Sequence, residues 1–275
     1  MRSVIVAISL AATVTLAAQG RSGVGNSFAR SADEWCAESN RHGGNDRVAC
    51  DVREESLTDL TALDVDTGGN GGIVVRGVSG STAHLRLRVV AHARSESAAR
   101  TLTSAIEIST DNGRVRARGP RSRDSEGWSV DVEIETPRGL PLMLVTANGG
   151  ISIEDTTGRT RFETSNGGVS LTDVAGDVQG STVNGGVSVR LDGQRWEGEG
   201  LDVATTNGGV RMSLPDSYNA ELTAETTNGG LHIDFPVTVQ GRLSDLNHRI
   251  VTTIGAGGPR LRLRTVNGGV QITRR

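Results

Sequence analysis

Beyond residue 140 the chain alternates apolar and polar residues in short blocks, and the blocks break at one recurring string, T-x-N-G-G. When each copy is counted from its Asn as position zero, positions +3 and +5 are apolar in all six copies: Ile151/Ile153, Val169/Leu171, Val187/Val189, Val210/Met212, Leu231/Ile233 and Val270/Ile272. The residues between them are Ser152, Ser170, Ser188, Arg211, His232 and Gln271. Period-two alternation of this kind predicts a strand with one buried face. Upstream, positions −6 and −4 are apolar in ten of twelve cases, from Leu142 and Leu144 to Leu261 and Leu263, while −5 and −3 are mostly polar. Each unit therefore reads as strand, corner, strand.

The corner pairs are Asn148 with Gly149, Asn166 with Gly167, Asn184 with Gly185, Asn207 with Gly208, Asn228 with Gly229, and Asn267 with Gly268. Successive asparagines are 18, 18, 23, 21 and 39 residues apart. Periods of this size mean stacked supersecondary units, and the last gap reads as two periods with one corner missing. A degenerate copy at Thr110-Asp-Asn-Gly113 and the string GGNGG around Asn70 extend the repeat upstream. Asn tolerates the left-handed region and Gly enters positive φ freely, so the pairs are expected to be structural turns. The Thr two residues earlier falls on the buried parity, where its hydroxyl can bond nearby backbone, and stacked asparagines would form an amide ladder. Asp155-Thr-Thr-Gly158 and Asp173-Val-Ala-Gly176 predict a second corner of type I turns.

The expected fold is all-β: a β-solenoid, like a single-stranded β-helix, of stacked coils of about 18 to 24 residues with NGG corners. The alternative is an antiparallel β-meander or sandwich, because Asn-Gly between alternating strands is a strong hairpin signal. Columns of identical Thr and Asn favour the solenoid, since hairpins need the turn but not the buried Thr. Upstream, Leu85–Val90 and Val130–Ile134 read as strands, and residues 95–105 have helix-forming composition.

Residues 1–20 carry Arg2, an apolar run from Val4 to Ala18 and then Gln19-Gly20, which predicts a secretory signal peptide. No later apolar run is long enough to span a membrane. The expected location is therefore exported, either periplasmic or at the cell surface. Residues 21–56 read as a polar segment closed by a Cys36–Cys50 disulfide, the simplest state of two near cysteines in an exported chain. His42 between them would complete only three metal ligands. Residues 57–275 form the β-repeat domain. All 29 basic residues are Arg, against 32 acidic ones, for a formal net charge of −3. With aromatic residues at only 3%, the chain lacks both the basic footprint and the stacking platform of a nucleic-acid binder.

The segment VDVEIETPRGLPLMLVTANGGISI, the later TTNGGVRM and the closing TIGAGGPRLRLRTVNGGVQI resemble a bacterial family of exported β-strand-repeat proteins described as putative adhesins or as a domain of unknown function. The resemblance covers roughly residues 60–275. It implies a stacked β-solenoid-like fold outside the cytoplasm and implies no reaction.

Candidate chemistry is sparse. Asp155 and Asp173 share an offset in adjacent units, and about 5 Å between stacked strands would suit a retaining glycosidase pair. Both also begin an Asp-x-x-Gly turn, which accounts for them without catalysis. The five histidines show no metal-ligand spacing, no Ser sits in a Gly-x-Ser-x-Gly elbow, and the glycine-rich runs lack the Lys of a phosphate loop. Arg262 and Arg264 are expected on a solvated strand face beside acids. No catalytic, metal or cofactor residue is assigned. The leading reading is a non-enzymatic, adhesin-like protein that binds a cell-surface or polysaccharide ligand. A carbohydrate-active enzyme and a purely structural envelope component are the alternatives, and the oligomeric state is left open.

Overall fold

The computed structural model describes residues 28–39, 47–122, 126–236 and 248–275. The expected signal peptide over residues 1–20 and His42 lie outside the described residues. Twenty strands and two α-helices make up the described chain. The strands of the first half are β1 (Arg47–Leu57), β2 (Leu63–Asp66), β3 (Ile73–Val78), β4 (Ala83–Ala93), β5 (Glu107–Ser109), β6 (Arg114–Arg118) and β7 (Gly127–Pro137). The repeats supply β8 (Leu142–Asn148), β9 (Ile151–Glu154), β10 (Arg159–Asn166), β11 (Val169–Thr172), β12 (Asp177–Asn184), β13 (Val187–Arg190), β14 (Gly200–Asn207) and β15 (Val210–Leu214). They continue with β16 (Ala220–Asn228), β17 (Leu231–Ile233), β18 (Arg249–Ile254), β19 (Arg260–Asn267) and β20 (Val270–Arg274).

The strands form two ten-stranded sheets. One runs β1-β4-β7-β3-β9-β11-β13-β15-β20-β17 and the other β18-β16-β19-β14-β12-β10-β8-β2-β6-β5. Every N-G-G corner carries the chain from the second sheet to the first, so the flanking strands never pair with each other as a hairpin would. Neighbouring units pair in parallel and in strict register: Thr164 faces Thr146 and Thr182, and Asn166 faces Asn148 and Asn184. The pairing turns antiparallel only toward the sheet edges, at β1/β4, β4/β7, β16/β18 and β5/β6. The sheets are therefore mixed and do not close on themselves.

Alternation explains the core. The +3 and +5 residues and the −6 and −4 residues meet between the sheets, with Leu144, Val178, Leu171, Val203, Leu222 and Ile272 all fully buried. The two upstream exceptions are Thr160 and Gly180. Thr160 is buried, and a Cβ on Gly180 would lie 2.4 Å from the ring of Phe162 in the adjoining unit. The missing side chain on one unit makes room for the large one on the next, which lets a core with few aromatics stay filled.

The units do not stack in chain order. The rung β19/β20 lies between β14/β15 and β16/β17, and β2/β3 lies between β6/β7 and β8/β9. The 39-residue gap therefore hides no missing coil among the described residues: β18 runs antiparallel along β16, and the chain then returns to fill a slot it had left open.

Residues 47–56, expected within a polar lead-in, belong to the edge strand β1, which ends at Leu57. Helix α1 (Ala32–Ser39) packs on β1 and β4, and a Cys36–Cys50 disulfide ties it to β1. Trp35 is buried beneath the guanidinium groups of Arg30, Arg86 and Arg88, 4.7 to 5.2 Å from its ring centroid. Glu133, 1% exposed, pairs there with Arg30 and Arg86. Burial raises its carboxyl above the usual range against the pull of both guanidiniums. Helix α2 (Glu96–Ser104) is capped by Ser95, whose hydroxyl accepts from the Ala98 N–H.

Candidate functional site

Two features stand out on this scaffold: a ribbon along the N-G-G corners and a cleft at the opposite corner.

The ribbon begins with the Thr of each repeat. Thr146, Thr164, Thr182, Thr205, Thr265 and Thr226 are buried, and each donates its hydroxyl to the carbonyl of the first corner glycine of the neighbouring rung, at 2.7 to 2.9 Å. That glycine is pressed against its neighbour: a Cβ on Gly149, Gly167, Gly185, Gly208, Gly268 or Gly229 would lie 1.9 to 2.2 Å from the next glycine's carbonyl oxygen. Close approach, more than the left-handed backbone expected from the sequence, thus requires glycine. None of the ladder asparagines has positive φ, and among the first corner glycines Gly71, Gly208 and Gly268 do, at 130°, 159° and 155°.

The asparagines stack as one unbroken amide ladder. Asn228, Asn267, Asn207, Asn184, Asn166 and Asn148 each donate Nδ2 to the next Oδ1 at 2.7 to 2.8 Å, and Asn148 donates to Asn70. Asn70 ends the series on the Trp128 carbonyl. Asn112 lies apart, in a left-handed conformation with φ of 51°. Each ladder carboxamide uses one N–H along the ladder and retains a second. Beside the amides runs a column of exposed side chains from the x position, Ser165, Val183, Thr206, Val266 and Thr227, with Ala147 half-buried at its end. Both columns repeat at strand spacing, about 4.8 Å.

The cleft lies where two repeats exceed 18 residues. The extra residues between β13 and β14 and between β15 and β16 fold over the second corner and enclose about 560 Å³ lined by Asp173, Asp192, Gln194, Trp196, Tyr218 and Asn219, among others. Trp196 and Tyr218 are each 2% exposed and form its floor. The Trp196 indole N–H donates to the Gly176 carbonyl at 2.9 Å, which anchors the longer loop to the corner beneath it. Burial and then the charge of Glu197 push the Tyr218 hydroxyl upward.

Asp155 and Asp173, expected to begin type I turns, hold left-handed backbone at φ of 57° and 51°, a conformation Asp adopts more readily than most residues, and the Gly158 and Gly176 N–H groups donate to the Arg138 and Glu197 carbonyls. The carboxyl partner of Asp173 is Asp192 on the longer loop, and Asp155 adds a smaller effect. Burial first, and then Asp192, raise Asp173, while the Arg275 guanidinium bonded to Asp192 holds that carboxyl below the usual range. The pair is unequal: Asp173 is the more readily protonated of the two carboxyls and Asp192 the more readily ionised. Sequence reasoning missed Asp192, Trp196 and Tyr218, although the 23- and 21-residue spacings were the signal that something had been inserted there.

Arg262 and Arg264 lie on the outer face of the second sheet. Arg264 pairs with Asp202 at 2.7 Å and Arg262 with Glu225 at 3.4 Å, so their charge is matched locally. Among the described residues no cluster of His, Cys, Asp or Glu could hold a metal ion, and no helix is long and apolar enough to cross a membrane.

A comparison with curated protein sequences gave no match. Among solved structures, a putative cell adhesion protein from Clostridium sporogenes is 12% identical, with 82% of this chain and 100% of that chain covered and a TM-score of 0.41. A putative adhesin from Bacteroides fragilis is 10% identical, covering 81% and 97%, with a TM-score of 0.38. A putative lipid binding protein from Parabacteroides distasonis is 10% identical, covering 82% and 97%, with a TM-score of 0.31. The model of the Toastrack DUF4097 family matches residues 58–273, nearly the whole body of stacked strands, and the chain belongs to that family.

Proposed function

We propose that the protein is an exported, non-enzymatic solenoid that binds an extended cell-surface polymer, a polysaccharide in the first instance, along the corner ribbon. The observation that carries this reading is the ladder of seven asparagines, six of them exposed, flanked by its column of small side chains. A linear glycan repeats its hydroxyl groups at nearly the pitch of stacked strands, so one weak polar contact per rung can add along the ribbon. A rigid, pre-ordered face keeps the ordering cost of binding low. The disulfide supports export, and removal of a signal peptide over residues 1–20 belongs to the same proposal.

The cleft favours the second reading, a glycan-cleaving enzyme, because it holds two close carboxyls in unequal environments. Two features weigh against it. Carboxyls within hydrogen-bonding reach of one another are closer than the roughly 5 Å that flanks a scissile glycosidic bond. The charge of Asp192 is also committed to Arg275.

Retention on insoluble polysaccharides and envelope extracts, with assay for released fragments, tests both. A Ser165→Glu, Val183→Glu, Thr206→Glu triple variant alters exposed positions beside the ladder and should lose retention while keeping its unfolding temperature. Undiminished retention by the triple variant would remove the ribbon from consideration. Fragment release abolished by Asp173→Asn and by Asp192→Asn would replace binding with catalysis.

A further inference from the structure

The ladder has one open end, and that end carries a reactive sequence. All seven ladder residues are Asn-Gly, the dipeptide in which the following amide nitrogen reaches the side-chain carbonyl most freely, because glycine offers no side chain to block it. Six of the seven are locked. Gly71, Gly149, Gly167, Gly185, Gly208 and Gly268 each donate the backbone N–H to the Asn carbonyl of the next rung, at 3.0 to 3.1 Å. The carboxamides of those six rungs are also held on both sides, as donor and as acceptor.

Asn228 differs in each respect. Among the described residues no rung follows it in the stack. Among the described residues the Gly229 N–H has no acceptor, the Asn228 Oδ1 has no donor, and nothing lies within 4 Å of where a Cβ on Gly230 would project. Among the described residues strand β18 pairs with β16 as far as Glu225, and the Thr226 N–H to His248 carbonyl bond at 2.8 Å is their last backbone contact before the corner. Asn228, Gly229 and Gly230 are all exposed.

We propose that Asn228 is the ladder's site of spontaneous deamidation. The Gly229 nitrogen attacks Cγ of Asn228 and loses its proton to solvent as the new C–N bond forms. The Cγ–Nδ2 bond breaks and ammonia leaves, which closes a five-membered imide. Water then opens one of the two imide C–N bonds, giving aspartate or, through the other bond, isoaspartate. At the other six sites the same attack first requires turning the glycine nitrogen away from its acceptor, which breaks a bond inside the stack. The product matters because a carboxylate at position 228 no longer donates to Asn267 Oδ1, and isoaspartate adds an atom to the backbone at the corner. Either change loosens the last rung.

Peptide mapping of the full chain, aged in mildly alkaline buffer with and without denaturant, tests the proposal. In denaturant the seven sites should react at similar rates, which shows that their sequences are equally competent. In the folded protein Asn228 should keep a rate near its unfolded one, and the other six should slow by at least about tenfold, the cost of breaking one or more hydrogen bonds before attack. An Asn228→Gln variant, whose ring closure is slower, should suppress nearly all of the folded-state ammonia release from the ladder, whereas Asn166→Gln should not. Protection of Asn228 equal to that of Asn166 and Asn184 in the folded chain, or reaction spread evenly over the seven, would overturn it.

Discussion

Each threonine of the repeat completes a glycine that belongs to another rung, so the string T-x-N-G-G is written for its neighbours as much as for itself. The Thr182 hydroxyl satisfies the Gly167 carbonyl at 2.8 Å inside the stack. Thr182→Val keeps the shape and removes the donor, and should destabilise by about 1 to 3 kcal/mol, the cost of a buried carbonyl left unpaired. Gly185 makes the stronger case. A Cβ there would lie 2.1 Å from the Gly167 oxygen, so Gly185→Ala must push two rungs apart and should cost more than Gly186→Ala, whose nearest atom is 3.3 Å away. Denaturant midpoints of the three variants rank these effects, and equal midpoints for the two glycine variants would contradict close approach as the reason for the motif. The need for glycine was legible in the sequence, but its cause was not. A recurring Asn-Gly-Gly suggests positive φ, because local conformation is all that a string of letters displays, whereas the constraint comes from a residue 18 positions away.

At the scale of elements, strand positions followed from alternation because one face of each strand is buried, and the short helix near residues 95–105 was readable from its helix-forming composition, whereas its Ser95 cap emerged only in the structure. The cleft was legible only as a disturbance. Spacings of 23 and 21 residues announced extra chain, but nothing in the letters told that it folds back to set Asp192 against Asp173. Edge strand β1 was missed for a related reason: none of its positions is fully buried and its exposed and half-buried residues do not alternate, so it lacks the apolar rhythm of the inner strands. The carboxyl pair gives a signed prediction. Asp173 is raised in the folded protein, so its favourable contribution is present below the unfolded carboxylate range and lost as pH rises through the folded value. Asp192 is lowered, and its contribution is present above that range and lost as pH falls through its own folded value. Asp173→Asn removes the disfavoured charge and supplies an amide donor to Asp192, so it should raise the melting temperature at neutral pH. The gain should shrink as pH falls through the raised folded value of Asp173, below which the wild-type carboxyl is protonated. A melting difference that does not vary with pH would show that the two carboxyls are not coupled.

At the scale of the molecule, the order of rungs separates this protein from a simple array. In a stack built in chain order the last coil is an end cap, and removing it peels one unit and leaves the rest nearly intact. Here the last coil is internal: β19 pairs with both β14 and β16, and β20 with both β15 and β17. Deleting residues 260–275 therefore removes Leu261, Leu263, Val270 and Ile272 from the core, together with the partners of two rungs. Each such side chain is worth about 1.5 to 3 kcal/mol on burial, so the loss approaches the total stability of an ordinary domain. The truncated chain should lose cooperative unfolding, and hydrogen exchange should show residues 220–233 unprotected along with the deleted rung's other neighbour, 200–214. One competing outcome is built into the repeat itself. Thr205 and Thr226, and Asn207 and Asn228, occupy the same offsets, so β16/β17 could in principle slide one slot and seat directly on β14/β15. Protection retained across both segments would reveal that slide and show that the corner motif alone sets which rungs stack. Protection lost in both would show that the stacking order is fixed by the rest of the chain, with β18 and the longer loops holding the slot open until the last coil fills it.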